Sequence, residues 1–208
     1  MLKTSKLSFS YNVKNGFEFP DILLEDNSQL LIVGKSGIGK TTLLHLLAGI
    51  LSADEGKIVI DDTNITDLHE GRLDKFRGRH IGLIFQKPHF IQSLTLKENM
   101  LLIQHLAGMK QDEKKINELL DRLDLGNKIN EKPNTLSQGQ QQRASIAMAL
   151  LNETKLLLAD EPTSSLDDEN CELVIELLKE QAQLSSSNLV VITHDNRLTS
   201  HFSNTLAL

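Results

Sequence analysis

The run LLIVGKSGIGKTTLLHLL, residues 30–47, decides the fold. Its first four residues are apolar and predict a buried β-strand, and its last five predict an apolar helix. Between them, Gly34 to Thr41 matches the pattern G-x-x-x-x-G-K-[ST]. Glycines let a loop curl closely around a phosphate group, and a helix N-terminus directs backbone N–H groups at it. The run therefore predicts a phosphate-binding loop, in which Lys40 supplies positive charge and Thr41 offers a hydroxyl to Mg²⁺.

A second buried strand ends in two adjacent carboxylates. The residues LLLADEP, 156–162, place Asp160 and Glu161 at the C-terminal end of a predicted strand. In an open parallel sheet, ligands bind at that end of the strands. Asp160 is suited to hold Mg²⁺ through water, and Glu161 is suited to orient and deprotonate a water molecule. The alternative is that the pair only caps the helix that follows.

Apolar runs alternate with helical stretches along the chain. The predicted buried strands are residues 30–33, 57–60, 81–85, 156–159 and 189–193. The clearest predicted helix covers residues 111–125, where apolar residues recur on one face and Gly126 can end it. Several strands are apolar on both faces, which is typical of a parallel sheet that is covered on both sides. The predicted fold class is α/β, with a mainly parallel sheet.

Length and composition indicate one compact unit over residues 1–208. The hydrophobic fraction is 39% and the net charge is −6. The longest apolar stretch, near residues 43–51, is shorter than the ~18 residues that span a bilayer. The acidic balance argues against a general nucleic-acid binder, because affinity for a phosphate backbone comes mostly from clustered Lys and Arg. One basic cluster, between Arg72 and Arg79, is interpreted as a solvated face, with a binding patch as the alternative.

The segment Leu136-Ser137-Gln138-Gly139-Gln140 opens another predicted helix. Ser137 and Gln140 form an S-x-x-Q pattern that is typical of a capping box, which is a structural role. A capped helix with Gly in its first turn is also an anion site, so both interpretations can hold. The segment resembles LSGGQ, the signature of ABC ATPases. The resemblance implies an ATPase with ATP and Mg²⁺ as ligands, a P-loop NTPase core, a small N-terminal antiparallel β part and a helical insert at about residues 88–135.

Further matches to this family follow in order along almost the whole chain. The resemblance implies that Tyr11 stacks on adenine, that Gln86 touches the metal and senses a transport partner, and that His194 contacts the γ-phosphate. Taken alone, Tyr11 and His194 are more often ordinary packed residues. Ser165-Leu166-Asp167 resembles the loop that crosses a dimer, which makes Asp167 a candidate dimer residue.

The resemblance thus implies four groups of site residues besides Asp167. The catalytic group is Lys40, Gln86, Glu161 and His194. The ATP-binding group is Tyr11, Gly34, Lys35, Ser36, Gly37, Ile38, Gly39, Lys40, Thr41 and Thr42. The metal group is Thr41, Gln86 and Asp160. The group that meets the nucleotide of the opposite subunit is Ser137, Gln138, Gly139 and Gln140. Two positions depart from the family pattern: Gln138 replaces the first glycine of the signature, and Met148 stands where the family usually has Arg.

The branch of the family is indicated by residues 81–100, which resemble the lipoprotein-releasing and macrolide-export branch. That resemblance favours export or extraction over uptake. It implies a head-to-tail homodimer with ATP, a separate transmembrane permease as partner, no nucleic acid, and a cytoplasmic location on the inner face of the cell membrane. The alternative is an ABC-type regulatory or cell-division module that acts on a membrane partner without transport.

Overall fold

The computed structural model describes residues 1–12, 16–164 and 168–208, which form two β-sheets and the helices around them. The candidate dimer residue Asp167 lies outside the described residues. The α/β fold class predicted from the sequence is confirmed.

The central sheet has five parallel strands that end at a common edge. In spatial order the strands are β10 (Thr205–Ala207), β4 (Gln29–Val33), β9 (Asn188–Thr193), β8 (Leu156–Asp160) and β7 (Ile81–Ile84). Val33 lies opposite Thr193, and Asp160 lies opposite Ile192. The ends of β4, β9 and β8 are therefore level, and the segments after these three strands meet at the same edge of the sheet.

The second sheet is antiparallel and is built mostly from the N-terminal part of the chain. Its strands are β1 (Leu2–Ser10), β2 (Gly16–Glu18), β3 (Leu23–Leu24), β5 (Glu55–Ile60) and β6 (Thr63–Asn64). The strand predicted at residues 57–60 is present, and it pairs antiparallel with β1. A short apolar run predicts burial and does not specify which strand will be its partner.

The helices lie between the strands in the order that the alternating pattern predicts. They are α1 (Lys40–Leu47), α2 (Glu70–His80), α3 (Leu96–Leu106), α4 (Glu113–Arg122), α5 (Gln138–Leu150) and α6 (Asp168–Leu184). Short 3₁₀ helices cover Ile65–Asp67, Gly126–Lys128, Pro133–Thr135 and Asn196–His201. The proposed insert at residues 88–135 contains α3 and α4, and its status as a separate subdomain stays a prediction.

The predicted helix over residues 111–125 is shorter in the structure, where it is α4. Asp112 caps its first turn by accepting from the Lys115 N–H. Just beyond its end, Asp124 adopts the left-handed conformation with φ of 55°, whereas Gly126 begins a 3₁₀ helix. Gly126 therefore does not terminate the helix, because Asp, whose short polar side chain tolerates this conformation, takes that role.

The two faces of the parallel sheet pack into two different cores. Along β8, Leu157 and Ala159 contribute to the core under α3 to α6, while Leu156 and Leu158 contribute to the core with α1 and the antiparallel sheet. Strands that are buried on both faces account for the uninterrupted apolar runs of the sequence. Within the described ranges, no helix combines the length and the apolar character needed to cross a membrane.

Candidate nucleotide-binding site

The loop from Gly34 to Gly39 joins the end of β4 to the start of α1. Gly37 and Gly39 have φ of 82° and 104°, a backbone region that side chains other than glycine rarely adopt. The N-cap residue of α1 is Gly39, which has no side chain, and among the described residues no side chain caps the first N–H groups of this helix. An anion at this helix start would accept hydrogen bonds from those groups and interact favourably with the helix dipole.

The side chain of Lys40 closes this loop from within. It is only 7% exposed. Its Nζ donates to the carbonyl oxygens of Gly34, at 2.7 Å, and of Lys35, at 3.1 Å. The cation is therefore held inside the curve of the loop, where it can change its partners from carbonyl oxygens to phosphate oxygens without a large movement of the backbone.

Two oxygens suited to a divalent cation lie beside the loop. The Thr41 hydroxyl donates to Asp160 Oδ2 at 3.3 Å, which joins the start of α1 to the end of β8. Burial raises the pKa of the Asp160 carboxyl, and the hydrogen bond from Thr41 acts in the opposite direction. A hydroxyl next to a desolvated carboxylate is a donor set that fits Mg²⁺, because this ion prefers oxygen ligands.

The neighbouring Glu161 is fixed in position by the end of β9. Its backbone has φ of 49°, and its N–H donates to the Ile192 carbonyl at 2.9 Å. Its Oε2 accepts from the Thr193 hydroxyl at 2.9 Å, and its Oε1 lies 2.7 Å from His194 Nδ1. With its side chain only 15% exposed, Glu161 forms a compact group with Thr193 and His194.

Gln86 lies on the stretch after β7 and makes a different contact. Its Nε2 donates to the Ser164 hydroxyl at 2.8 Å. Ser164 lies three residues after the carboxylate Glu161 in the sequence. The structure thus connects Gln86 to Ser164, just after the carboxylate pair.

Tyr11 lies at the side of the phosphate loop. Tyr11 is 56% exposed, and its hydroxyl is 3.2 Å from the Thr42 hydroxyl. Phe9 meets the Tyr11 ring edge to face, with 4.8 Å between the ring centroids. The buried Thr42 side chain therefore contacts Tyr11, and the large exposed part of the Tyr11 ring is free to stack on a planar group.

The segment that resembles the ABC signature begins α5. Ser137 and Gln140 form the capping box predicted from the sequence, with the Ser137 N–H donating to Gln140 Oε1 at 2.9 Å. Ser137, Gln138 and Gly139 are exposed, and a Cβ at Gly139 would point into open space, with nothing within 4 Å of it beyond its chain neighbours and the backbone of its own helix. The helix start is therefore open to a neighbouring molecule.

Several side chains that contact the predicted residues were missed by the sequence analysis, among them Thr193, Ser164 and Phe17. Thr193 bonds Glu161, Ser164 bonds Gln86, and Phe17 packs against Gly39. Thr193 and Ser164 immediately adjoin residues or segments already identified, so adjacency was the available signal for them. Phe17 carried no such signal, because its contact depends on how β2 lies across the phosphate loop.

The basic cluster on α2 is partly occupied by intramolecular contacts. Arg77 donates to the Gly49 carbonyl and pairs with Asp74, and Arg79 donates to the carbonyl oxygens of Ala107 and Gly108. These bonds attach α2 to the ends of α1 and α3. They favour a structural role for these two arginines over a binding patch.

Beside this cluster, a cavity of about 530 Å³ is lined by residues of α2, β7, α3 and α5. Its lining includes Phe85, His89, Ile103, Leu106 and Met148. Met148, a residue that departs from the family pattern, therefore contributes apolar surface to this cavity, and the lining residue Phe85 immediately precedes Gln86. Leu106, at the end of α3, is 72% exposed.

A phosphate loop and two carboxylates at the C-terminal edge of a parallel sheet define the class of P-loop nucleotide-binding proteins. The chain matches the family model described as ABC transporter over residues 21–164. It therefore belongs to the ABC transporter family. Within that family it is an ATP-binding cassette and an ATPase.

Individual relatives agree with this assignment. The chain is 43% identical over 171 residues to the ABC transporter ATP-binding protein YtrE of Bacillus subtilis, covering 81% of this chain and 74% of that protein. It is 37% identical over 180 residues to the lipoprotein-releasing system ATP-binding protein LolD of Bacteroides fragilis, covering 86% and 83%. It is also 38% identical over 177 residues to the macrolide export ATP-binding/permease protein MacB of Campylobacter jejuni, covering 84% of this chain and 28% of that protein.

The same fold occurs in a solved ABC cassette. The dimeric structure of a post-hydrolysis state of the ATP-binding cassette MJ0796, bound to ADP and Pi, matches with a TM-score of 0.86 and 32% identity, over 100% of this chain and 94% of that chain. The ABC ATPase fold and the family resemblance stated from the sequence are confirmed.

Proposed function

We propose that this chain hydrolyses ATP at the C-terminal edge of its parallel sheet and supplies the energy to a separate membrane permease. The observation that carries the proposal is that three groups meet at this edge: the loop that encloses Lys40, the Thr41–Asp160 pair and the Glu161–His194 pair. These groups are suited to binding phosphates, holding a divalent cation and activating water.

Mg²⁺ is proposed as the resident cation, held by Thr41 and Asp160, with Gln86 as a third contact. When bound, it balances the charge of the β- and γ-phosphates. The raised pKa of the Asp160 carboxyl has burial as its main cause, and a cation next to it favours the ionised form. The Gln86 amide is oriented by Ser164, which is 2.8 Å away.

Glu161 is proposed as the general base. Thr193 holds Oε2, so that Oε1 is the oxygen presented toward His194. Separation of the Glu161–His194 contact at 2.7 Å would free both groups, Glu161 to accept a proton from the attacking water and His194 to reach the γ-phosphate. A general base positioned in this way typically contributes about 10² to 10⁴ in rate.

A head-to-tail homodimer formed with ATP is the proposed active assembly. The exposed helix start at Ser137 and Gly139 would meet the nucleotide held by the phosphate loop of the other chain. The dimeric MJ0796 cassette, which this chain resembles over its whole length, supports the proposal. A two-fold arrangement gives two equal sites, each built from both chains.

The cavity of about 530 Å³ is proposed as the docking surface for the permease. Its lining by Leu106 and Met148 is apolar, and Gln86 lies directly after the lining residue Phe85. A partner helix seated there would touch the stretch that positions Gln86, which provides a physical route between the membrane partner and the nucleotide site. MacB, an ATP-binding/permease protein whose length is matched over only 28%, supports a membrane partner of this kind.

Export or extraction is proposed over uptake, with the chain in the cytoplasm as a peripheral subunit on the inner face of the membrane. The relatives named for lipoprotein release and for macrolide export support this direction. The transported substrate would contact the permease, so a transport assay requires the complex of both subunits.

The docking proposal is tested by Leu106→Asp, with Leu184→Asp as a matched control. Both leucines lie at the ends of helices and are exposed, Leu106 to 72% and Leu184 to 59%. Of these two leucines, only Leu106 lines the cavity. Tagged chains are purified from membranes of the producing cells, and the co-purifying membrane protein is identified by mass spectrometry. We expect Leu106→Asp to lose that protein and to keep its own ATP hydrolysis, while Leu184→Asp keeps both.

Equal recovery of the same membrane protein with both variants would contradict this docking surface. A charge reversal at Lys97, on α3, would be a poorer test of docking. Lys97 forms an ion pair with Glu113 at 2.7 Å, so its reversal would disturb the contact between α3 and α4. Reconstitution of the recovered complex in vesicles then separates transport from a regulatory role, since only a transporter moves a solute or lipid-anchored cargo when ATP is added.

A further inference from the structure

Phe17, on the short edge strand β2, packs directly against the phosphate loop. A Cβ built on Gly39 would lie 2.6 Å from Phe17 Cδ1 and 2.9 Å from Cε1, so the Phe17 ring lies against the space where another residue would have its side chain. Gly39 has φ of 104°, and it is the residue just before Lys40. The ring therefore lies against the backbone that directs the Lys40 side chain.

In the part of the chain that the structure describes, no side chain hydrogen-bonds the start of α1 as a cap. Glycine loses more conformational freedom on ordering than any other residue, so a glycine at this junction needs another source of restraint. The packing of Phe17 provides such a restraint. Its ring is also stacked on Phe19, with 6.0 Å between centroids and an interplanar angle of 8°, which limits movement of the Phe17 side chain.

The same ring also contacts the aromatic residue beside the loop. Phe17 and Tyr11 meet edge to face, with 6.2 Å between their centroids. Phe9 is the register partner of Phe17 in the β1–β2 pair. The Phe9 ring also contacts Tyr11, with 4.8 Å between the ring centroids. Phe17 thus contacts both the loop backbone and Tyr11, whereas the three atoms nearest to the Gly39 Cβ position all belong to Phe17 and none to Phe9.

We propose that Phe17 is a positioning residue of the nucleotide site, which fixes the phosphate loop at Gly39 directly and the Tyr11 ring by edge-to-face packing. The inference rests on the proposed ATP site. Small displacements of groups that hold a substrate carry large costs in affinity and rate, so the removal of this ring should weaken ATP binding even though Phe17 is not expected to touch the nucleotide.

The test is a set of ATP dissociation constants for the full chain, measured by displacement of a fluorescent ATP analogue. Phe17→Leu and Phe9→Leu are each made in the natural chain and in Tyr11→Ala. We expect Phe17→Leu to raise the dissociation constant by about five- to tenfold in the natural chain, which is the size of effect that an aromatic contact supplies. When Tyr11→Ala is already present, adding Phe17→Leu should still raise the dissociation constant about threefold. Adding Phe9→Leu to Tyr11→Ala should leave the dissociation constant unchanged.

The comparison with Phe9→Leu separates positioning from a general weakening of the β1–β2 pair, since both residues belong to that pair and both are half-buried. The inference is overturned if Phe17→Leu has less than a twofold effect, or if its effect disappears in Tyr11→Ala. Lys40→Ala is a separate control for the proposed ATP site. If the Lys40→Ala chain binds ATP normally, the proposed site itself is wrong. If Lys40→Ala loses ATP binding while Phe17→Leu leaves it unchanged, only the role of Phe17 is rejected.

Discussion

At the scale of single residues, the two adjacent carboxylates have different surroundings. Asp160 is hydrogen-bonded to the Thr41 hydroxyl at the start of the phosphate loop helix, and burial raises its pKa. Glu161 faces the other way, toward Thr193 and His194 at the end of β9. The left-handed backbone of Glu161, with φ of 49°, accompanies this change of direction. We therefore expect the two carboxylates to have different roles, which mutation can separate.

Glu161→Gln should remove most of the ATP hydrolysis and leave ATP binding intact. The amide keeps the shape of the side chain but cannot accept the proton of water, so the rate should fall by about 10² to 10⁴, or about 2.7 to 5.4 kcal/mol of activation free energy. Steady-state turnover and ATP dissociation constants measure the two effects. Asp160→Asn is the matched comparison and should weaken Mg²⁺-dependent ATP binding instead. A Glu161→Gln chain that turns over at nearly the natural rate would contradict the assignment of the base.

Thr193→Val should lower kcat with little change in the KM for ATP. Thr193 is fully buried, and its hydroxyl orients Glu161 through a hydrogen bond of 2.9 Å to Oε2. The loss of a hydrogen bond to a charged group costs about 1.5 to 3 kcal/mol, so kcat should fall by about tenfold or more. Thr193→Ser keeps the hydroxyl and should restore most of the rate. If Val and Ser behave alike, the hydroxyl does not position Glu161.

The residues of the site were predictable, but most of their partners were not. The glycine spacing, Lys40 and the Asp160–Glu161 pair follow from residue types and from the order of strand, loop and helix. The contact between Glu161 and His194 joins residues 33 positions apart and depends on the alignment of β8 with β9. A single sequence does not contain that alignment, so the roles assigned to these side chains remain predictions that the variants above can test.

At the scale of elements, the start of α3 is stabilised by a capping box. The Thr95 hydroxyl accepts from the Glu98 N–H, and the Thr95 N–H donates to Glu98 Oε2 at 2.8 Å. Two hydrogen bonds from Thr95 hold the pKa of the Glu98 carboxyl below its ordinary value of 4.5. The bond from the Thr95 backbone has the larger effect, and the bond from its side chain has the smaller. A depressed carboxyl pKa means that its stabilising contribution is present above the ordinary pKa and is lost as the pH falls through the lower, folded-state pKa.

Glu98→Gln should therefore destabilise the chain at neutral pH and have progressively less effect below pH 4.5, where the natural Glu98 becomes protonated. Urea unfolding at neutral and acidic pH measures the difference in unfolding free energy between the two chains. Thr95→Ala removes the cap itself and should cost about 1 kcal/mol at neutral pH. If the difference in unfolding free energy between the Glu98→Gln chain and the natural chain does not change with pH, the charge of the Glu98 carboxylate is not the cause of the stabilisation.

The elements themselves were predicted unevenly, for physical reasons. The strand at residues 57–60 was correctly located, but its antiparallel pairing with β1 depends on contacts with residues more than 50 positions away. The capping box at Ser137 was predicted and is present, because it is a local hydrogen-bond pattern of four residues. Local patterns were thus predicted more reliably than pairings between distant segments.

At the scale of the whole molecule, the phosphate loop encloses a residue of its own chain, whereas the signature segment is exposed to solvent. The loop curls around its own Lys40, while Gly139 lies at an exposed helix start with open space at its Cβ position. An exposed helix start with open space at the Cβ position of its glycine is suited to receiving an anion from outside the chain. In the proposed dimer, each nucleotide would therefore lie between the loop of one chain and the α5 start of the other.

This arrangement predicts that two inactive variants restore activity when they are mixed. Lys40→Ala removes the cation of the phosphate loop and leaves the signature unchanged. Gly139→Asp places a negative charge where a phosphate would approach; the open space at Gly139 and the preference of helix N-termini for acidic side chains should keep the single chain folded. In a mixed dimer, one site carries both defects, and the other combines the natural loop of one chain with the natural signature of its partner.

Each variant alone should show almost no ATP hydrolysis. An equal mixture should form mixed dimers in about half of the assemblies, with one of two sites intact, so that activity recovers to at most about a quarter of the natural value. Turnover measured against the mixing ratio should pass through a maximum near equal amounts, and each variant mixed with the natural chain is the control for simple dilution. If the mixture remains as inactive as its components while both variants are folded, the site is complete within one chain and the head-to-tail assembly is wrong.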